Sequence, residues 1–139
     1  MQLTIPLITL GLALTASANV NGMNPISIFQ YGDPAACRQL FYQYGACGLS
    51  TYQPNTDPNM PLVAIPGLVF DQYGASQNNQ LCGKVITMTH DGITQQALVA
   101  DQNVGGDNSV DVCLNTWEAF GGHDGDGSII RDMHWEVAL

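Results

Sequence analysis

Short runs of apolar and β-branched residues, broken every few positions by glycine, proline or asparagine, dominate the chain from Ile26 onward. Residues 84–89 form one such run, His90-Asp91-Gly92 supplies a turn, and residues 93–100 run back. This stretch reads as a hairpin whose returning strand delivers Asp101 at its end. After a Gly/Asn-rich connection, Val110-Asp111-Val112 is a further short strand, and residues 114–120 carry the spacing of a brief helix. Asp101 and Asp111 therefore leave neighbouring elements beside one loop, and function is expected there.

Elsewhere the pattern is similar. Residues 19–25 read as a flexible leader and 26–31 as the first strand, closed by Gly32-Asp33-Pro34. Residues 35–44 have helical spacing up to Gly45. Residues 53–61, with Pro54, Pro58 and Pro61, read as exposed loop. An apolar stretch at 62–73 is split by Pro66-Gly67 into a pair of short elements, and 76–80 is a polar turn. Ile129 and Ile130 open a strand, and residues 135–137 form the last one, with Trp135 in the core. Many short strands with one or two short helices predict a mainly β domain, a small closed barrel.

The beginning of the chain has a different character. Residues 3–16 are almost wholly apolar, uncharged, and followed by Ala16-Ser17-Ala18, the small-x-small pattern at which a signal peptide is cut. The run is shorter than the roughly 20 residues a membrane span needs. Residues 1–18 are therefore expected to be a signal peptide, leaving residues 19–139 as one exported domain. Four cysteines in an exported chain favour two disulfides, and without a CxxC pair they do not suggest a metal site. Three pairings are open.

A formal charge of −9 and a pI near 4.1 exclude nucleic acid and anionic membrane surfaces as partners. Charged residues are only 11% of the chain, while amide and hydroxyl side chains are plentiful, a balance suited to a neutral glycan.

The order of motifs resembles the double-psi β-barrel family, which includes expansins, loosenins, barwin-like proteins, rare lipoprotein A and the family 45 glycoside hydrolases. The resemblance rests on Tyr31-Gly32-Asp33, Ala46-Cys47-Gly48, Leu81-Cys82-Gly83, Val99-Ala100-Asp101, Val110-Asp111-Val112 with Ala119-Phe120, and Trp135-Glu136-Val137. It implies a six-stranded double-psi β-barrel with Cys47 paired to Cys82, and Cys37 to Cys113. It also implies a shallow polysaccharide groove with Asp111 and Asp101 as the catalytic-type carboxylates of its floor. Tyr31, Asp33, Asn103 and Trp117 are the candidate polysaccharide-binding residues. Asn103 stands where expansins place a groove tyrosine, and Phe29 where they place a threonine. The strand Phe29-Gln30-Tyr31-Gly32 lacks the carboxylate that hydrolases use as base for inversion.

Binding or loosening of cellulose, chitin or peptidoglycan without hydrolysis, by a monomer, is therefore the expected function. Two alternatives remain. One is lytic cleavage with Asp111 as a lone acid, and the other is a protein-binding barrel acting as a protease inhibitor or host-interaction protein. No cofactor is expected. Asp124, Asp126, Ser128 and Asp132 follow an EF-hand-like count, but Ile129 replaces the glycine and Trp135 the bidentate glutamate. His90, His123 and His134 lack metal-ligand spacing, so no metal is expected.

Overall fold

The computed structural model describes residues 2–6, 19–123 and 127–139. Six strands, β1 (Asn19–Gln30), β2 (Leu62–Pro66), β3 (Val85–His90), β4 (Ile93–Asn103), β5 (Val110–Cys113) and β6 (Ile130–Ala138), close into a barrel in the order β1-β5-β2-β4-β3-β6. The pairs β1/β5 and β2/β4 are parallel, and the other four pairings are antiparallel. Four short α-helices are found among the described residues: α1 (Pro34–Tyr44), α2 (Leu49–Tyr52), α3 (Gly67–Phe70) and α4 (Leu114–Ala119). That is more than the one or two the sequence predicts. Helices α2 and α3 are single turns of four residues, too short to leave a periodic signature. Of the expected signal peptide, residues 1 and 7–18 lie outside the described residues, and none of the described helices is long and apolar enough to cross a membrane.

Strand β1 departs most from expectation. Residues 19–25 are strand, paired antiparallel with β6 from Asn19–Ala138 through Asn24–Met133. The inward positions explain why apolar patterning does not show this. Only Val20 is a conventional core residue there. At Gly22 an added Cβ would lie 2.8 Å from the Trp135 ring, and Asn24 accepts a 2.8 Å hydrogen bond from the Trp135 indole N–H. One large side chain thus fills the space that Gly22 and Asn24 leave open. Residues 130–138 form a single strand where the sequence suggests two.

The β3–β4 hairpin follows the sequence closely. Asp91 and Gly92 both have positive φ, 50° and 78°, in the two-residue turn between His90 and Ile93. That combination matches the twist of the flanking strands. Strand β4 then continues past its expected end. Val63 pairs with Val99 but Ala64 with Asp101, so Ala100 is an extra residue in the ladder, a bulge. The bulge turns the Ala100 carbonyl to Cys47 N–H, at 3.1 Å, and re-aims Asp101.

Helix α1 is tied onto the barrel by several independent contacts. The Cys37–Cys113 disulfide joins it to β5, and Cys47–Cys82 joins the following loop to the chain entering β3, the pairing that the resemblance implies. Phe41 packs against Phe29 with ring centroids 4.5 Å apart. Gly45 meets the barrel so closely that a Cβ would lie 2.4 Å from the Ala100 carbonyl oxygen. Arg38 holds the proline-rich loop by donating to Met60 O at 2.8 Å and Asp57 O at 2.9 Å. Phe41, Leu49, Leu62, Ile65, Trp117 and Trp135 anchor the buried apolar interior.

Two stability predictions follow from these contacts. Gly22→Ala should cost about 1–3 kcal/mol in denaturant unfolding, because the indole cannot retreat without disturbing its bond to Asn24. Replacing a cystine by two serines should cost about 2–5 kcal/mol. The Cys37–Cys113 pair, spanning 76 residues, should cost about 0.7 kcal/mol more than Cys47–Cys82, spanning 35, on loop-closure grounds. Equal losses for the two cystines would contradict the loop-closure account.

Candidate functional site

Strand register assembles the site. Ser27 on β1 pairs with Asp111 on β5, Asp111 with Ala64 on β2, and Ala64 with Asp101 on β4. Cross-strand partners project to one face of a sheet, so these four residues form a row across four adjacent strands. Ala64 is the small residue between the two carboxylates, which sit two strand spacings apart, about 9.6 Å between backbones. Closing the barrel in this order is what brings residues 27, 64, 101 and 111 together.

Asp111 is half-buried and well furnished with donors. Its Oδ1 accepts from Ser27 Oγ, from Ser109 Oγ at 3.3 Å and from Asn103 Nδ2 at 3.3 Å. The Oδ2 atom accepts no hydrogen bond from the described residues. Burial raises the Asp111 pKa above the ordinary carboxylate value. Hydrogen bonds from Ser27 and Ser109 partly offset this, and the charges of Asp107 and Asp101 push the pKa further up.

Asp101 is raised by burial as well, against two backbone donors that pull it down. Those donors are Ala46 N and Gln102 N, each 2.8 Å from Oδ1. Asp101 thus anchors the Ala46-Cys47-Gly48 loop while its charge reaches Asp111. Asp107 behaves oppositely. The upward push of its slight burial is outweighed by hydrogen bonds from Ser109 and Asn103, and its pKa is lowered.

The β4–β5 connection is built around Asn103. Its Oδ1 accepts from Gly105 N at 2.8 Å. Its Nδ2, with two N–H bonds, is shared among Ser109 O at 2.9 Å, Asp107 Oδ1 at 3.1 Å and Asp111. Asn103 is largely buried, and its side chain is spent on the loop and on Asp111.

The remaining candidates separate. Tyr31 lies just past β1, 59% exposed, with its hydroxyl against Gly127. Asp33 caps α1, accepting from Ala35 N at 3.0 Å ahead of Pro34 at the first helical turn. Trp117 must be removed from the set of sugar-contacting residues. It is fully buried, donates its indole N–H to Ser128 O at 2.9 Å, and lies where a Cβ on Gly122 would clash at 2.3 Å. Its ring closes the core under the segment after α4 and offers no face to a ligand.

Ser27, Ser109 and Asp107 belong to the site although sequence reasoning did not select them. The only available signal was a small polar residue between Ile26 and Ile28. His90 lies edge-on to Phe120, 6.5 Å between centroids, and no cluster of three or more metal-ligating side chains is found among the described residues. Asp124 and Asp126 of the EF-hand-like count lie outside the described residues.

No protein-family model matches the chain, and no curated protein does. Solved structures do. The Streptomyces papain inhibitor superposes with a TM-score of 0.54 at 19% identity, covering 86% of this chain and 96% of that one. Cerato-platanin 3 from M. perniciosa gives 0.51 at 16% identity, over 88% and 94%. A Clavibacter michiganensis expansin variant in complex with cellohexaose gives 0.48 at 18%, and this chain spans 50% of it. At such identities the likeness concerns the fold. With its two parallel strand pairs and six-stranded closure, this chain is a double-psi β-barrel.

Proposed function

We propose that this protein is an exported, non-hydrolytic polysaccharide-binding barrel that holds a cell-wall glycan across the Ser27–Asp111–Ala64–Asp101 row. The observation that carries the reading is Asp111. It is a half-buried carboxylate fixed through one oxygen by Ser27, Ser109 and Asn103, with the other oxygen left for a sugar hydroxyl. Tyr31 adds an exposed ring just past the end of β1. Two disulfides fit an extracellular protein. The net charge of −9 favours a neutral polymer over an anionic one.

Binding without hydrolysis is supported by how the other carboxylates are engaged. Asp33 holds the first turn of α1, and Oδ1 of Asp101 holds two backbone N–H groups. Both carry structural hydrogen bonds, and strand β1 has no carboxylate where inversion would need a base opposite Asp111.

The direct test is a pull-down of the protein on insoluble cellulose, chitin and peptidoglycan, with sugar release and papain inhibition measured alongside. Retention on a polymer without sugar release is expected. Asp111→Asn should weaken retention about ten- to a hundredfold, the value of one hydrogen bond to a charged group. Retention on no polymer, together with papain inhibition, would replace this reading with a protein-binding one. Release of cleaved sugar would point instead to lytic chemistry at Asp111.

The pH dependence separates binding from folding. A carboxyl whose folded pKa is raised keeps its proton more tightly in the native state than in the unfolded chain. Its stabilising effect is complete below about pH 3.8 and is lost as the pH rises through the folded value. Asp111→Asn should therefore show a shallower fall in stability above pH 3.8 than the parent, and equal or greater stability at neutral pH. A loss of more than about 2 kcal/mol at neutral pH would instead make the carboxylate a structural element.

A further inference from the structure

The two most exposed aliphatic side chains of residues 19–139 are Val104, 83% exposed, and Leu68, 74% exposed. They stand on helix α3 and on the β4–β5 loop yet line the same concavity, with a volume of about 340 Å³, together with Asp71, Gly106, Asn108 and Asn103. Exposed aliphatic groups that line one concavity mark a binding surface more than scattered exposure does. The gap is held open by the backbone. Gly67 approaches Asn103 so closely that a Cβ would lie 2.8 Å from the Asn103 carbonyl oxygen, and Gly105 N is fixed to Asn103 Oδ1. The same Asn103 donates to Asp111, so the concavity continues the site.

We propose that this concavity is a subsite for the acetamido group of an N-acetylated glycan, a proposal that rests on the polysaccharide reading above. Branched aliphatic side chains cannot stack on a pyranose face as an aromatic ring does, but they enclose a methyl group. The amide beside that methyl needs one acceptor and one donor. The Asp71 carboxylate supplies the first, and the Asn108 side-chain amide, on a residue with φ of 54°, supplies the second. A glucan without the substituent would leave Leu68 and Val104 in water and both polar groups unused. The subsite therefore selects among the polymers that the Asp111 row alone would accept.

The test compares three hexasaccharides by calorimetric titration of the full chain: N-acetylglucosamine, glucosamine and glucose hexamers. The N-acetylated hexamer should bind at least about tenfold more tightly than the glucose hexamer, from the methyl contact and the two hydrogen bonds together. Leu68→Ser with Val104→Ser, both at the surface and so compatible with folding, should remove that preference while leaving glucose-hexamer binding unchanged. Asp111→Asn should weaken the N-acetylated and glucose hexamers equally. Equal affinity of the parent for those two, or a preference that survives the double substitution, would overturn the subsite and leave the glycan reading in place. Binding of none of them would overturn both. Loss of papain inhibition in the double variant without any glycan preference would assign Leu68 and Val104 to a protein partner.

Discussion

One extra residue in strand β4 couples the barrel to its helical layer. Without the bulge at Ala100, the carbonyl that receives Cys47 N–H would lie in the β-ladder, and Asp101 would not share a row with Ala64. With it, consecutive backbone N–H groups of the α1–α2 loop are taken up, Ala46 by the Asp101 carboxylate and Cys47 by the Ala100 carbonyl. Gly45 is the residue that permits this approach, since any side chain would collide with the same carbonyl. The Cys47–Cys82 cystine then fastens the loop a second time. The position of Asp101 is thus set by backbone geometry before any ligand is considered.

The site combines two opposite electrostatic situations within a few residues. Asp107 is nearly exposed and surrounded by donors, so it gives up its proton readily. Asp111, four positions on, is drawn into the barrel face, where burial and two neighbouring carboxylates oppose its charge. Asn103 touches both through one amide nitrogen. Asn103 thus links Asp111 by hydrogen bonds to the loop that carries Val104.

Local chemistry accounts for what the sequence revealed. The hairpin at Asp91-Gly92, the helix from Pro34 and the strand around Asp111 are governed by turn residues, capping and apolar runs, all of which are written in neighbouring positions. The first half of β1 was hidden because Gly22 and Asn24 occupy inward positions that only the distant Trp135 makes sense of. Ser27 entered the site through a register between strands far apart in the chain, which no local pattern encodes. Trp117 was misplaced because residue type alone does not say whether an aromatic ring faces solvent or core. The disulfide pairing was legible only through family resemblance, since four cysteines permit three arrangements.

Closure of the wall has a further consequence. An open sheet presents a row of unpaired N–H and C=O groups to which another extended segment can add. Here β1 and β6, the first and last of the described strands, pair along most of their length, so neither presents such a row at that seam. Strand addition there, by a partner polypeptide or by a neighbouring copy, is blocked. Along that seam, contact with a partner falls to side chains and loop tips.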